Sequence, residues 1–269
     1  MKSIISIFIL LFTINFTFGI IIGYHPSYVV YGADDFPFNK HFVSRFVDQM
    51  RFYNNKNGVG IIIQKDGCGY GLIFRDSSLG GHDNIEPYGA DTKKLVVFAN
   101  HGGPFWIGNE WNYKNDGLAR LGNGGDNDCN WYVDFGCSKL YMDDDEFPWW
   151  RFAKAFQGLH GIIGFYSPVI GTTWGDPYDY NNSDLEYLGK WFVTYLYQGN
   201  TYYAAFCNAA WKVFILGDYG GRGKGGMTNY VIKMINMATS QYDYANESLQ
   251  VEYPDNMPQW YGIFTMTVK

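Results

Sequence analysis

Four short stretches of this chain are apolar at nearly every position: Val59 to Ile63, Leu95 to Asn100 (LVVFAN), Trp131 to Phe135 (WYVDF) and Gly161 to Tyr166 (GIIGFY). A strand with one wet face alternates apolar and polar side chains, so runs without alternation belong to strands covered on both faces. The cover is expected from helices, whose patterns alternate with these runs. Pro148 to Leu159 reads as one helix, with Pro148 in the first turn, where its missing N–H costs nothing. Ser183 to Tyr197 reads as a second: Ser183 is the N-cap, Glu186 closes a capping box, and Leu188, Trp191, Phe192 and Leu196 share one side. Tyr203 to Val213 reads as a third, and another is expected from Thr228. Strands alternating with helices predict an α/β fold with a mostly parallel central sheet.

No repeat, linker or low-complexity block divides residues 20–269, so a single domain is expected. With 47% hydrophobic and 17% charged residues the chain buries a large core, which excludes wholesale disorder. Its 33 glycines and 20% aromatic residues fit many turns around a bulky interior. A net charge of −6 argues against nucleic acid as a partner, because phosphate binding needs clustered Lys and Arg.

The first nineteen residues read as a signal peptide: Lys2 is the positive start, Ile4 to Phe18 the apolar stretch, and Thr17 and Gly19 the small residues before cleavage at Ile20. An uncleaved anchor is the alternative, since Ile20 to Ile22 prolong the apolar run. The expectation is a secreted chain, or one in the lumen of the secretory and endolysosomal pathway, with no stable membrane association after cleavage. Secretion opens Asn181 and Asn246 to glycosylation, each in an N-x-S sequon. It also lets Cys68, Cys129, Cys137 and Cys207 form disulfides. Four cysteines are too few to frame a chain of this size, which leaves a thiol for chemistry.

In a parallel sheet, ligands sit beyond the carboxyl ends of the strands. One apolar run ends in Asn100-His101-Gly102-Gly103 and another in Gly136-Cys137-Ser138. A thiol must become thiolate to attack, and an imidazole can take that proton and return it to a leaving group. Gly102 and Gly136 let backbone approach a substrate closely, and N–H groups there are candidates for an oxyanion hole. The bland alternatives are a Cys129–Cys137 disulfide and a His101 that only bonds a turn. If the pair is catalytic, Cys68 and Cys129 are the expected bridge, both in Gly- or Asp-rich loops, and Cys207 in AAFCNAAW is a buried thiol.

These two segments, LVVFANHGG and WYVDFGCS, resemble the caspase, legumain and gingipain superfamily of cysteine peptidases, where strands end in His-Gly and in a small residue followed by Cys. The wider order GGHDNIEPYGADTKKLVVFANHGG, DFGCSKL, GLHGIIGFYSP is similar to an uncharacterised, mainly bacterial family related to it, over about residues 40–235. The resemblance implies a caspase-like three-layer sandwich and a cysteine-dependent hydrolase acting on a peptide or protein substrate without a cofactor. It makes Cys137 the nucleophile, His101 the general acid/base, and the N–H groups of Gly102 and Cys137 the oxyanion hole. Phe135-Gly136 stands where caspases carry Gln-Ala, so the substrate-side wall differs.

Other signals rank lower. Asp143 to Glu146 is four consecutive acids, read first as a solvated loop. Asp126-Asn127-Asp128 starts like a calcium loop but has Trp131 at the position that needs Gly. Gly221 to Gly226 fits G-x-G-x-x-G late in the chain and reads as a loop bordering the site, with Asp218 beside it as a specificity residue. Trp106 and Trp149, with Trp111, Trp150 and Trp174, fill a core or bind substrate. They also support a second expectation, a non-catalytic extracellular protein that binds glycan or protein through aromatic loops. His82 and His160 lack zinc spacing, and no metal site is expected.

Overall fold

The computed structural model describes residues 28–32, 37–54, 62–64, 80, 95–99, 102–103, 106–107, 111–112, 129–135, 140, 159–166, 184–216, 230–251, 253 and 260–268. The strands are β1 (Tyr28–Gly32), β2 (Ile62–Gln64), β3 (Leu95–Ala99), β4 (Gly102–Gly103), β5 (Trp106–Ile107), β6 (Trp111–Asn112), β7 (Trp131–Asp134), β8 (Gly161–Phe165), β9 (Tyr230–Ala238) and β10 (Trp260–Val268). The helices are α1 (Pro37–Asn54), α2 (Asp184–Tyr197) and α3 (Tyr202–Ala210), which runs on into a π-helical turn, Trp211–Ile215.

Among the described residues one mixed sheet holds seven strands in the order β10-β9-β8-β7-β3-β1-β2. The five from β8 to β2 pair in parallel, and β9 and β10 are antiparallel. A smaller antiparallel sheet of β4, β5 and β6 follows β3 directly. The fold is therefore α/β, as the alternating runs required. LVVFA, WYVD and GIIGF are buried at every position, the two-sided cover that their lack of alternation demands.

The helix expected from Thr228 is not there. Tyr230 to Ala238 forms β9, paired on both edges between β8 and β10. Its sequence, YVIKMINMA, is apolar nearly throughout, so it has no period to separate strand from helix, and Val231, Ile232 and Ile235 tip it to strand. Of the helix expected over Pro148 to Leu159 only Leu159 is described, buried ahead of β8 and outside any helix.

The described helices pack on one face of the sheet. Phe135 stacks on Phe206 of α3 at 4.6 Å and meets Phe42 of α1 at 4.7 Å and Phe192 of α2 at 5.7 Å. α1 and α2 lie side by side: Gln49 donates to Thr194 Oγ1 at 3.1 Å, and Tyr53 stacks on Tyr197 at 4.6 Å. Gly189 permits their approach, since a Cβ there would stand 3.1 Å from the Phe42 carbonyl oxygen and ring. Thr201 caps α3 by accepting from the Ala204 N–H at 3.2 Å. From that cap α3 climbs the sheet: Tyr202 packs on Trp131 at the base of β7, and Phe206 packs on Phe165 at the carboxyl end of β8.

Candidate functional site

The carboxyl ends of the parallel strands converge on one edge of the large sheet. β3 and β7 are neighbours in register Leu95↔Trp131 to Phe98↔Asp134, and the Phe135 N–H extends the ladder to the Phe98 oxygen at 2.8 Å. Partner numbers differ by 36, which is also the interval between His101 and Cys137. His101, Cys137, Asp218, Trp149 and Asn181 lie outside the described residues. The residues flanking the first two are described. His101 falls between Ala99 and Gly102, the latter starting β4. Cys137 falls between Phe135 and Leu140, whose N–H donates to the Phe165 oxygen at 3.1 Å, at the carboxyl end of β8.

Two further segments reach the same end of the sheet. The π-helical turn after α3 brings Phe214 to 6.1 Å from Phe165 and stops at Leu216, two residues before Asp218. The chain re-enters at Tyr230, and Val231 accepts from the Tyr166 N–H at 2.8 Å. Trp106 lies in β5, paired with Gly103 and Asn112, so the smaller sheet carries tryptophan immediately after the His-Gly segment.

The described cysteines are ruled out as accessible nucleophiles. Cys129 is fully buried in the core, its thiol directed at the Trp131 carbonyl oxygen at 3.9 Å. Cys68 and Cys137, the bridge partners expected for Cys129, lie outside the described residues. The Asp-rich segment reads as a loop, yet its last residues are tucked under the start of β7. Cys207 is a buried free thiol, as its alanine and aromatic neighbours suggested. Burial pushes its pKa up to about 12, and a hydrogen bond with Tyr203 only partly opposes that. Tyr203 is raised too, first by burial and then by Cys207.

Sequence reading passed over two buried carboxylates. Asp134 is fully buried at the end of β7, where it accepts from Tyr132 Oη at 2.6 Å. Both side chains lie on the sheet face away from Phe135. A lone acid inside WYVDF was the available signal. At the opposite end of the sheet, Glu247 Oε2 accepts from Trp131 Nε1 at 2.5 Å and from His160 Nδ1 at 2.8 Å, and Oε1 accepts from the Tyr253 N–H at 2.7 Å. The His160 ring stacks on Tyr244 at 3.9 Å and 5°. A carboxylate only accepts, so Nδ1 is the protonated ring nitrogen. Among the described residues no group of three His, Cys, Asp or Glu is placed to hold a metal ion, and no helix is long and apolar enough to cross a membrane. Asn246 is exposed on the 3₁₀ turn Tyr244–Asn246, and its sequon partner Ser248 is buried.

A family model described as Domain of unknown function (DUF6345) matches residues 66–214, more than half of the chain and a span that includes both His101 and Cys137. No curated protein matches the chain.

Proposed function

Starting from a chain that belongs to the DUF6345 family of domains of unknown function, we propose that it is a cysteine-dependent hydrolase of peptide bonds, with Cys137 as nucleophile and His101 as general acid/base. The observation that carries this reading is the register of β3 on β7. Its offset equals the interval between the two residues, and each is anchored within three positions by described backbone at one sheet edge. Consecutive Cα atoms are about 3.8 Å apart and paired strands about 4.8 Å, so short tethers on adjacent strands favour an encounter of the two side chains. The burial of Cys129 and Cys207 supports it further, by removing two of four thiols from contention.

In this reading His101 takes the Cys137 proton, and the thiolate attacks the scissile carbonyl carbon. The oxyanion is held by the N–H groups of Gly102 and Cys137. His101 then protonates the leaving amine, the C–N bond breaks, and a thioester is left. Water, losing a proton to the same imidazole, releases the acid and restores the thiol. Asp218, Trp106 and Trp149 border the substrate. The parallel run β8-β7-β3-β1-β2 supports the reading, which we extend to a caspase-like sandwich with its chemistry beyond the carboxyl ends of the strands. Residues 1–19 act as a cleaved signal peptide, the chain is secreted or lumenal, and the exposure of Asn246 suits a glycan there and another at Asn181.

The second reading is a non-catalytic extracellular binder, favoured by the tryptophan-bearing sheet of β5 and β6 beside the same edge. Thiol mapping and turnover of a peptide library separate the two. The hydrolase requires a Cys137 alkylated fast at neutral pH. It also requires Cys137→Ala to lose on the order of 10⁴-fold or more in kcat/KM, and His101→Ala to flatten the acidic limb of the pH profile. Full turnover by Cys137→Ala overturns it, and a bridged Cys137 with glycan or protein binding establishes the binder.

A further inference from the structure

The two edges of the seven-stranded sheet differ. β2 closes one edge with three residues, Ile62–Gln64, short enough to offer little for another chain to pair with. β10 forms the other with nine, and among the described residues β9 is its one strand neighbour. The β9–β10 ladder runs from Trp260↔Ala238 to Val268↔Tyr230 without a bulge. Residues 260–268 contain no charge and no proline, the devices that usually keep an open edge from pairing. Two of the large exposed apolar side chains of the molecule lie on this strand, Trp260 at 56% and Phe264 at 41% exposure. Both occupy positions on the same sheet face, where Phe264 touches Tyr203 at 6.1 Å.

We infer that β10 is a self-association edge, pairing antiparallel with β10 of a second copy about a twofold axis at Phe264. The register follows from the strand. An isologous antiparallel pair must set one residue opposite itself, and only the middle residue lets all nine positions pair. That places Phe264 against Phe264, Gly262 against Met266, Ile263 against Thr265, and Trp260 against Val268. Large positions meet small or matching ones, apolar positions meet apolar ones on the Phe264 face, and no like charges oppose, although the chain as a whole carries −6. Neutrality matters here: a net-acidic chain meets its own copy with least repulsion where it carries no charge. This inference does not depend on the proposed chemistry.

Sedimentation equilibrium of the purified full chain, from nanomolar to tens of micromolar, tests it. A reversible dimer is expected. Phe264→Lys, which sets two ammonium groups against each other, is expected to leave a monomer at every concentration with an unchanged circular dichroism spectrum, whereas Phe264→Leu keeps the dimer. Where Phe264→Lys fails to fold, oxidation decides: Phe264→Cys forms a disulfide-linked dimer across the axis, and Thr267→Cys, opposite residue 261, does not. A wild-type monomer throughout the range, a dimer that survives Phe264→Lys, or equal cross-linking at Thr267→Cys overturns the inference. So does a monomer whose β10 edge takes up only a different partner.

Discussion

The base and the carboxyl edge of the same sheet use polar residues in opposite ways. At the base, three N–H donors converge on the two oxygens of Glu247, and the backbone around them is tied as well. The His160 N–H reaches the Asn130 oxygen at 2.7 Å, the Met237 N–H reaches the His160 oxygen at 2.8 Å, and the Tyr202 N–H reaches the Glu247 oxygen at 3.1 Å. Every one of these groups is spent on holding strands, α3 and the 244–253 segment together. At the other edge Ala99 and Phe165 end their strands, Phe135 follows an Asp134 that is occupied by Tyr132, and the residues equipped for chemistry come next in sequence. An imidazole is thus a strut at position 160 and a candidate base at position 101. What separates the two is which end of a strand each adjoins, since His160 precedes β8 and His101 follows β3.

The comparison is broken most severely at Gly161. A Cβ there would stand 2.3 Å from the Trp131 ring, closer than any side chain could tolerate without moving β8 or the indole that serves Glu247. Gly161→Ala is expected to cost about 3 kcal/mol, roughly 6–12 °C in Tm for a chain of this size, measured by thermal unfolding. Combined with Trp131→Phe it should cost less than the sum of the two single changes, because the smaller ring relieves the clash. Strict additivity would mean that a methyl group at position 161 does not meet the Trp131 ring.

Glu247→Gln gives a smaller effect and a sharper test of the claim that the base is structural. Whichever way the amide lies, its NH₂ faces a donor that cannot reverse: Trp131 Nε1 on one side or the Tyr253 N–H on the other. One buried donor goes unsatisfied, at about 2 kcal/mol, roughly 4–8 °C in Tm. Alkylation of Cys137 in the native state at 20 °C should not change, since no bond of this network reaches the other edge. A Glu247→Gln chain of wild-type stability, or one with an altered Cys137 labelling rate, would remove the distinction between the two ends.

The two ends were unequally legible in the sequence. LVVFAN, WYVDF and GIIGFY announced β3, β7 and β8 because strands covered on both faces carry few polar residues, Asp134 being the one acid among them. The 184–197 helix announced itself through Leu188, Phe192 and Leu196, all of which are buried. The same lack of alternation hid β9, whose apolar run suits a helix equally until both of its edges are paired. β10 was hidden for another reason: Gly262 and three threonine or tyrosine neighbours dilute its apolar pattern, as suits a strand with exposed positions. Glu247 gave no sign at all. Its side-chain partners lie 87 and 116 residues away, and only the fold brings them together. Sequence alone could nominate His101 and Cys137 because reactive residues that follow strand ends are a local signal, and it missed the base network because the side chains that meet there are far apart in the chain.

Cys207 supplies the mildest contrast, a thiol kept from reacting where Cys137 is proposed to react. With its pKa pushed up to about 12 by burial, it stays protonated in the folded chain while the same thiol in the unfolded chain ionises near the ordinary 9.0. Between those values the unfolded state holds fewer protons than the folded one, so stability falls as pH rises. The contribution is whole below about pH 9 and is lost progressively towards 12. At pH 10 the loss is about 1 kcal/mol, from a limiting slope near 1.4 kcal/mol per pH unit. Urea unfolding at pH 7, 8.5 and 10 should therefore show wild type falling more steeply than Cys207→Ala, the difference opening only above pH 8.5. Iodoacetamide at pH 7.5 should leave Cys207 unmodified until the chain is denatured. Parallel pH curves for the two proteins, or rapid native alkylation at Cys207, would make it a second accessible thiol and weaken the assignment of reactivity to one edge of the sheet.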